Sequence, residues 1–131
     1  MAGTKKYNFV LVVDDSEMEN SMNIAVLNQN GFCNEAKAQC NPKDALTFLS
    51  TASEEKLPEI IFLDINMPDM DGFAFLEEFE KLPDNVHKKS KIVMLSSSDS
   101  FKDLNRANKN KYVRRFLNKP LTQNMLQAIN F

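Results

Sequence analysis

The sequence predicts an α/β fold, a doubly wound five-stranded parallel sheet with helices on both faces. Three observations lead there. Short β-like apolar runs alternate with helical patterns about every 20 to 25 residues along the chain. The run at residues 7–13 is β-branched and apolar nearly throughout, as in a central strand covered on both faces. The length of 131 residues suits one domain with its own core and is too short for two ordinary ones.

Residues 7–13 are therefore the first strand. Met18, Met22, Ala25, Val26 and Gln29 then recur at spacings of four and three, so a helix follows and stops at Asn30-Gly31. Ala36, Ala38 and Cys40 alternate weakly, which suits an edge strand over residues 33–40. Asn41-Pro42 supplies a cap and a proline at the first helical position. Ala45, Phe48, Leu49 and Ala52 carry the apolar stripe of that second helix. Residues 59–63 form the next buried strand, ending at Asp64. Beyond a loop over 65–72, Phe75, Leu76, Phe79 and Leu82 line one face of a third helix. Residues 91–95 are a fourth strand ending at Ser96. Ser100 and Asp103 resemble a capping box that opens a fourth helix, with Phe101, Leu104 and Ala107 inward. Residues 113–117 read as a fifth strand broken by Arg114-Arg115. Thr122 caps a last helix carrying Met125, Leu126 and Ile129. Repeated βα units dictate right-handed crossovers in one parallel sheet. Without a Gly-rich first turn, the flavodoxin-like strand order 2-1-3-4-5 is favoured over a dinucleotide-binding half. No linker or repeat interrupts it, so residues 1–131 are expected to be a single domain.

Composition removes several function classes. With 43% apolar and 26% charged residues the chain is ordinary for a globular protein. No apolar run approaches the roughly 20 residues of a membrane span, and the basic N-terminus leads to no signal-peptide core. A cytoplasmic protein without a membrane partner is expected. Cys33 and Cys40 with His87 as the sole histidine cannot assemble a usual zinc site. The thiols are expected to be reduced, His87 to lie in an exposed polar loop over 83–90, and histidine-dependent hydrolase chemistry to be absent. Residues 1–84 hold six basic and sixteen acidic side chains, while residues 85–131 hold ten basic and two acidic. The second half thus offers a basic surface. With only three arginines and a net charge of −2, it suits a protein partner better than nucleic acid.

The chemistry collects at strand ends. Open parallel sheets bind ligands beyond the carboxyl ends of their strands, where strand order reverses. Here those ends carry Asp14-Asp15, Asp64, Ser96 and Lys119-Pro120. Three convergent carboxylates cannot all ionise cheaply unless a cation joins them. Oxygen-only ligands with open positions suit Mg²⁺. An aspartate beside Mg²⁺, a lysine and a hydroxyl is placed to attack phosphorus and form an aspartyl phosphate.

Together with the loop Asp64-Ile65-Asn66-Met67-Pro68-Asp69-Met70-Asp71-Gly72, this set resembles the receiver domain of two-component response regulators, over the whole chain. The resemblance implies that Asp64 is the phosphoacceptor. It implies that Asp15, Asp64 and the Asn66 backbone carbonyl ligate Mg²⁺, with Asp14 acting through water. Ser96 takes the hydroxyl position whose movement reports phosphorylation, Lys119 is the phosphate-binding lysine, and Phe116 takes the aromatic switch position. The Lys119–Pro120 peptide is expected to be cis. Ser98 and Asn66 fill positions that tune phosphoryl lifetime. One departure is Tyr112-Val113, where the family usually has a small Gly-Ala pair.

The implied function is a phosphorelay step rather than an enzyme acting on other molecules. A histidine kinase or phosphotransfer protein is the donor. A downstream protein, or a second copy, binds the face of the fourth helix, fifth strand and last helix. About eleven residues follow Lys119-Pro120, enough for one helix and no output module. Nucleotide binders need a phosphate-cradling loop where Asp14-Asp15 stand. Haloacid-dehalogenase-type phosphatases place an Asp-x-Asp after strand 1. The remaining alternative is a pseudo-receiver that binds partners without phosphorylation.

Overall fold

The computed structural model describes residues 6–97 and 101–131. The strands are β1 (Tyr7–Val13), β2 (Cys33–Gln39), β3 (Ile60–Asp64), β4 (Lys91–Ser96) and β5 (Val113–Asn118). They form one parallel sheet in the order β2-β1-β3-β4-β5. The helices are α1 (Glu17–Gln29), α2 (Pro42–Thr51), α3 (Gly72–Glu80), α4 (Asp84–Lys89), α5 (Phe101–Asn108) and α6 (Gln123–Ala128). No helix among the described residues is long and apolar enough to cross a membrane.

The apolar strands divide their side chains between two cores. On one face Leu11, Val13, Ile61, Leu63, Ile92 and Met94 pack with α2, α3 and α5 residues such as Leu49, Phe75, Phe79 and Ala107. On the other, Val10, Val12, Phe62, Val93 and Leu95 pack with Leu27, Leu126 and Ile129 of α1 and the C-terminal segment. Each large side chain buried this way stabilises the fold by roughly 1.5–3 kcal/mol, so the three central strands dominate. The expected caps are present. Asn41 accepts from Lys43 and Asp44 amides, and Thr122 accepts from the Met125 amide. Ser100 and the side chain of Phe101 lie outside the described residues, as does Ser98.

Three sequence expectations are corrected. The α1 stripe Met18, Met22 and Ala25 is exposed, at 74% for Met18 and 55% for Met22, while Asn20, Asn23 and Leu27 are buried. The period was right and the phase wrong, because the Asn20 amide is drawn inward to donate to the Asp14 carbonyl at 2.8 Å. Residues 84–89 form a short helix rather than a loop, with Asp84 in its first turn and His87, Lys88 and Lys89 in its last, matching the helix dipole. His87 is consequently not exposed. Its ring sits 5.1 Å from Phe79 and 4.5 Å from Tyr112, and Nε2 lies 2.7 Å from the Phe79 carbonyl.

Tyr112 also packs edge-on against Phe79, with ring centroids 5.4 Å apart. Beyond it the β4–β5 register steps from Ile92↔Val113 to Val93↔Arg115, leaving Arg114 as an extra residue. Such a bulge turns two consecutive side chains to one side. Arg114 and Arg115 accordingly both lie over the Phe131 ring, at 5.4 and 5.3 Å.

Gly72 opens α3 under the loop that follows β3. A Cβ there would stand 2.9 Å from the Asp64 carbonyl oxygen, 2.9 Å from Met94 Cε and 3.0 Å from Ile65 Cα. Two of those neighbours are backbone and cannot yield. Gly72→Ala is expected to cost about 1–3 kcal/mol in urea unfolding. A variant as stable as the parent would show that the loop relaxes freely.

Candidate functional site

The carboxyl ends of β1, β3 and β4 are brought together because the strand order places β1 and β4 on either side of β3. Asp14 follows β1, Asp64 closes β3 and Ser96 closes β4, all three nearly fully buried. Register sets Asp64 beside Leu95 and Ser96 beside Asn118. Asp15 is exposed. Even so, Asp14, Asp15 and Asp64 each offer a carboxylate oxygen within 4.8 Å of the other two.

Each buried carboxylate is oriented differently. Asp14 Oδ1 accepts from the Ser16 amide at 2.9 Å, and Oδ2 accepts from Lys119 Nζ at 3.1 Å. Lys119 Nζ is also 2.9 Å from Asp64 Oδ1. That approach is close but off-line, so the buried Oδ1 receives no aligned hydrogen bond. Burial, with the neighbouring Asp14 charge, pushes the Asp64 carboxyl up from 3.8 to about 6, although Lys119 opposes this. Lys119 is opposed by burial in turn, but its carboxylate partners hold the ammonium well above the usual lysine range. Its backbone is fixed by a 2.8 Å bond from its amide to the Ser96 carbonyl, and the Lys119–Pro120 peptide is cis.

The remaining expected residues lie around this centre. Asn66 is exposed, its amide 3.4 Å from Ser97 Oγ. Phe116 on β5 is half-buried against the core cluster that contains Ile92 and Met94. One residue was missed. Glu19 Oε2 accepts a hydrogen bond from Lys119 Nζ at 2.9 Å. A signal existed, since Ser16-Glu17-Met18-Glu19 has the spacing of a capping box. The Ser16 hydroxyl does accept from the Glu19 amide at 3.2 Å. The reciprocal bond is absent, because Asp14 already takes the Ser16 amide. The Glu19 carboxylate is thereby released towards Lys119.

An open parallel sheet in this strand order, with polar groups gathered beyond its strand ends, is a flavodoxin-like α/β architecture. Within it the chain belongs to the response regulator receiver domain family, whose model matches residues 10–130. A two-component response regulator from Cytophaga hutchinsonii superposes with a TM-score of 0.85 at 29% identity, over 95% of this chain and 93% of that one. Chemotaxis protein CheY of Bacillus subtilis is 28% identical over 88 residues, covering 67% of this chain and 66% of that protein. A protein-glutamate methylesterase/protein-glutamine glutaminase of Hahella chejuensis is 32% identical over 96 residues, covering 73% of this chain. The chain spans only 24% of that methylesterase's length. Receiver domains are signalling modules that interact with histidine kinases or phosphotransfer proteins, and phosphoaspartate and Mg²⁺ are typical of them.

Proposed function

We propose that this receiver accepts a phosphoryl group on Asp64 from a phosphohistidine donor, with Mg²⁺ held by Asp15, Asp64 and the Asn66 carbonyl, and by Asp14 through water. The observation that carries this is Asp64 Oδ1, a buried carboxylate oxygen with no aligned donor, 2.9 Å from an ammonium. A buried carboxylate that shares one ammonium with the neighbouring Asp14 suits a ligand that supplies further positive charge. The oxygen-only set Asp14, Asp15 and Asp64 fits Mg²⁺, which favours carboxylates, waters and phosphate oxygens. Bound there, the ion supplies Lewis-acid neutralisation of phosphoryl charge.

The chain's own residues do the rest. An Asp64 oxygen forms the bond to phosphorus as the donor's P–N bond breaks, the electron pair staying with the imidazole. Lys119, kept protonated by its carboxylate partners, faces the transferring oxygens. Exposed Met18 and Met22 on α1 give the donor an apolar patch on the helix that starts at the pocket. The new phosphoryl oxygens draw the Ser96 hydroxyl inward, and the Phe116 ring turns into the vacated space.

The readout face is α5, β5 and α6. Several of its basic side chains lie over aromatic rings. Arg106 lies 4.1 Å over Phe73, Lys111 lies 5.2 Å over Tyr112, and Arg114 and Arg115 share Phe131. With Lys102 and Lys109 they suit an acidic patch on a downstream protein or on a second copy.

Incubation with acetyl phosphate is expected to add one phosphoryl group per chain, dependent on Mg²⁺ and labile to hydroxylamine. A chain that takes no label but still binds partners is the pseudo-receiver instead. Asp15→Ala is expected to weaken Mg²⁺ binding and slow phosphorylation together, each by about tenfold or more. Unchanged Mg²⁺ affinity in that variant would remove Asp15 from the ligand set.

A further inference from the structure

Lys119 is shared three ways, and Glu19 is the sharer that the phosphoryl chemistry does not require. An ammonium has three N–H donors. The two aligned hydrogen bonds from Lys119 Nζ go to Asp14 Oδ2 at 3.1 Å and Glu19 Oε2 at 2.9 Å. Asp64, the proposed acceptor, receives only the off-line contact at 2.9 Å. The pair is well placed to matter, because the Lys119 side chain is 13% exposed and Asp14 and Asp64 are buried. Glu19 is 43% exposed, so its charge is partly screened but its carboxylate remains in contact.

We infer that Glu19 is a positioning residue that competes with the phosphoryl group for the Lys119 donors, trading phosphoryl affinity for affinity towards the bare divalent cation. The inference rests on the reading that Asp64 takes the phosphoryl group. Two effects point the same way. A phosphoryl group on Asp64 brings acceptor oxygens that need an aligned Lys119 donor, and Glu19 occupies one. Three carboxylates, Asp14, Glu19 and Asp64, already share a single ammonium, and Asp15 stands beside Asp14 and Asp64. Adding a phosphoryl dianion to that set is opposed by every carboxylate it retains.

For Mg²⁺ alone the sign reverses. The carboxylate of Glu19 attracts the cation, and by engaging Lys119 it lessens that ammonium's hold on Asp14 and Asp64. Glu19 owes this freedom to Asp14, which takes the Ser16 amide that a capping box would assign to it. The Glu19→Gln change keeps the helix start and side-chain shape, so the Ser16–Glu19 backbone cap persists and folding is retained.

The test compares wild type with E19Q using two probes followed by NMR titration. One is Mg²⁺ alone; the other is fluoroberyllate, a phosphoryl mimic, at saturating Mg²⁺. E19Q is expected to bind Mg²⁺ about threefold more weakly and fluoroberyllate about three- to tenfold more tightly. General damage to the pocket weakens both, so shifts of opposite sign are the signature of competition. Equal affinities, or loss of both, would overturn the role of Glu19 while leaving Asp64 as acceptor. A wild-type chain that binds Mg²⁺ but never fluoroberyllate overturns the phosphoryl reading and this inference with it.

Discussion

Asp64→Asn is expected to lower phosphoryl incorporation from acetyl phosphate by about a hundredfold or more, because an amide cannot form the acyl phosphate. The other carboxylates are poor substitutes on geometry. Both Asp14 oxygens are engaged, one by the Ser16 amide and one by Lys119. Asp15 is exposed, and Glu19 is bound to Lys119. Asp64 alone combines burial, an oxygen without an aligned donor, and an adjacent ammonium. The measurement is stoichiometric label per chain with and without Mg²⁺, since an asparagine-bearing pocket can still show trace labelling of hydroxyls. Label at the wild-type level in the variant would move the acceptor elsewhere.

The strand ends were legible in the sequence because central parallel strands are apolar throughout, so the first polar residue after each run marks the sheet's edge. That logic located Asp14, Asp15, Asp64 and Ser96 without any structure. It found Lys119 through the Lys-Pro step that follows β5. Helix faces were less legible. In α1 the inward positions include Asn20 and Asn23, and the outward ones include Met18 and Met22, so hydropathy pointed to the wrong side. One specific demand overrides it: the Asp14 carbonyl takes the Asn20 amide, which turns that side of the helix inward. The α4 turn was passed over because a six-residue polar helix has no apolar period to detect. Its one buried apolar side chain is Val86, and its histidine is held by Phe79 and Tyr112, contacts distant in sequence. Glu19 was missed because it lies inside α1, off the strand ends, and its partner Lys119 is 100 residues away in the chain. Only the third dimension shows that Asp14 displaces it from the cap.

Burial of Asp64 has a consequence for stability that is independent of any donor. Its folded carboxyl is pushed up to about 6 from 3.8, chiefly by desolvation, with the Asp14 charge adding to it and Lys119 opposing. A folded-state value above the unfolded one means that the native protein binds this proton more tightly. In Mg²⁺-free buffer the stabilising effect is therefore complete below about pH 4 and is lost as pH rises through about 6. At 1.36 kcal/mol per unit, the loss across that window is about 3 kcal/mol at most. Asp64→Asn removes the titration while keeping an acceptor for Lys119. The variant is expected to exceed wild type by about 3–10 °C in thermal midpoint at pH 7.5 in EDTA. The gap should close on acidification to about pH 4.5, where wild-type Asp64 is largely protonated. Mg²⁺ should narrow it from the other direction, because a cation in the pocket favours the carboxylate and binds the folded wild type better than the amide variant. A midpoint difference that stays constant from pH 4.5 to 7.5 would mean that Asp64 is solvated well enough to keep its ordinary acidity. Its burial would then carry no energetic tension for a phosphoryl group or a metal to relieve.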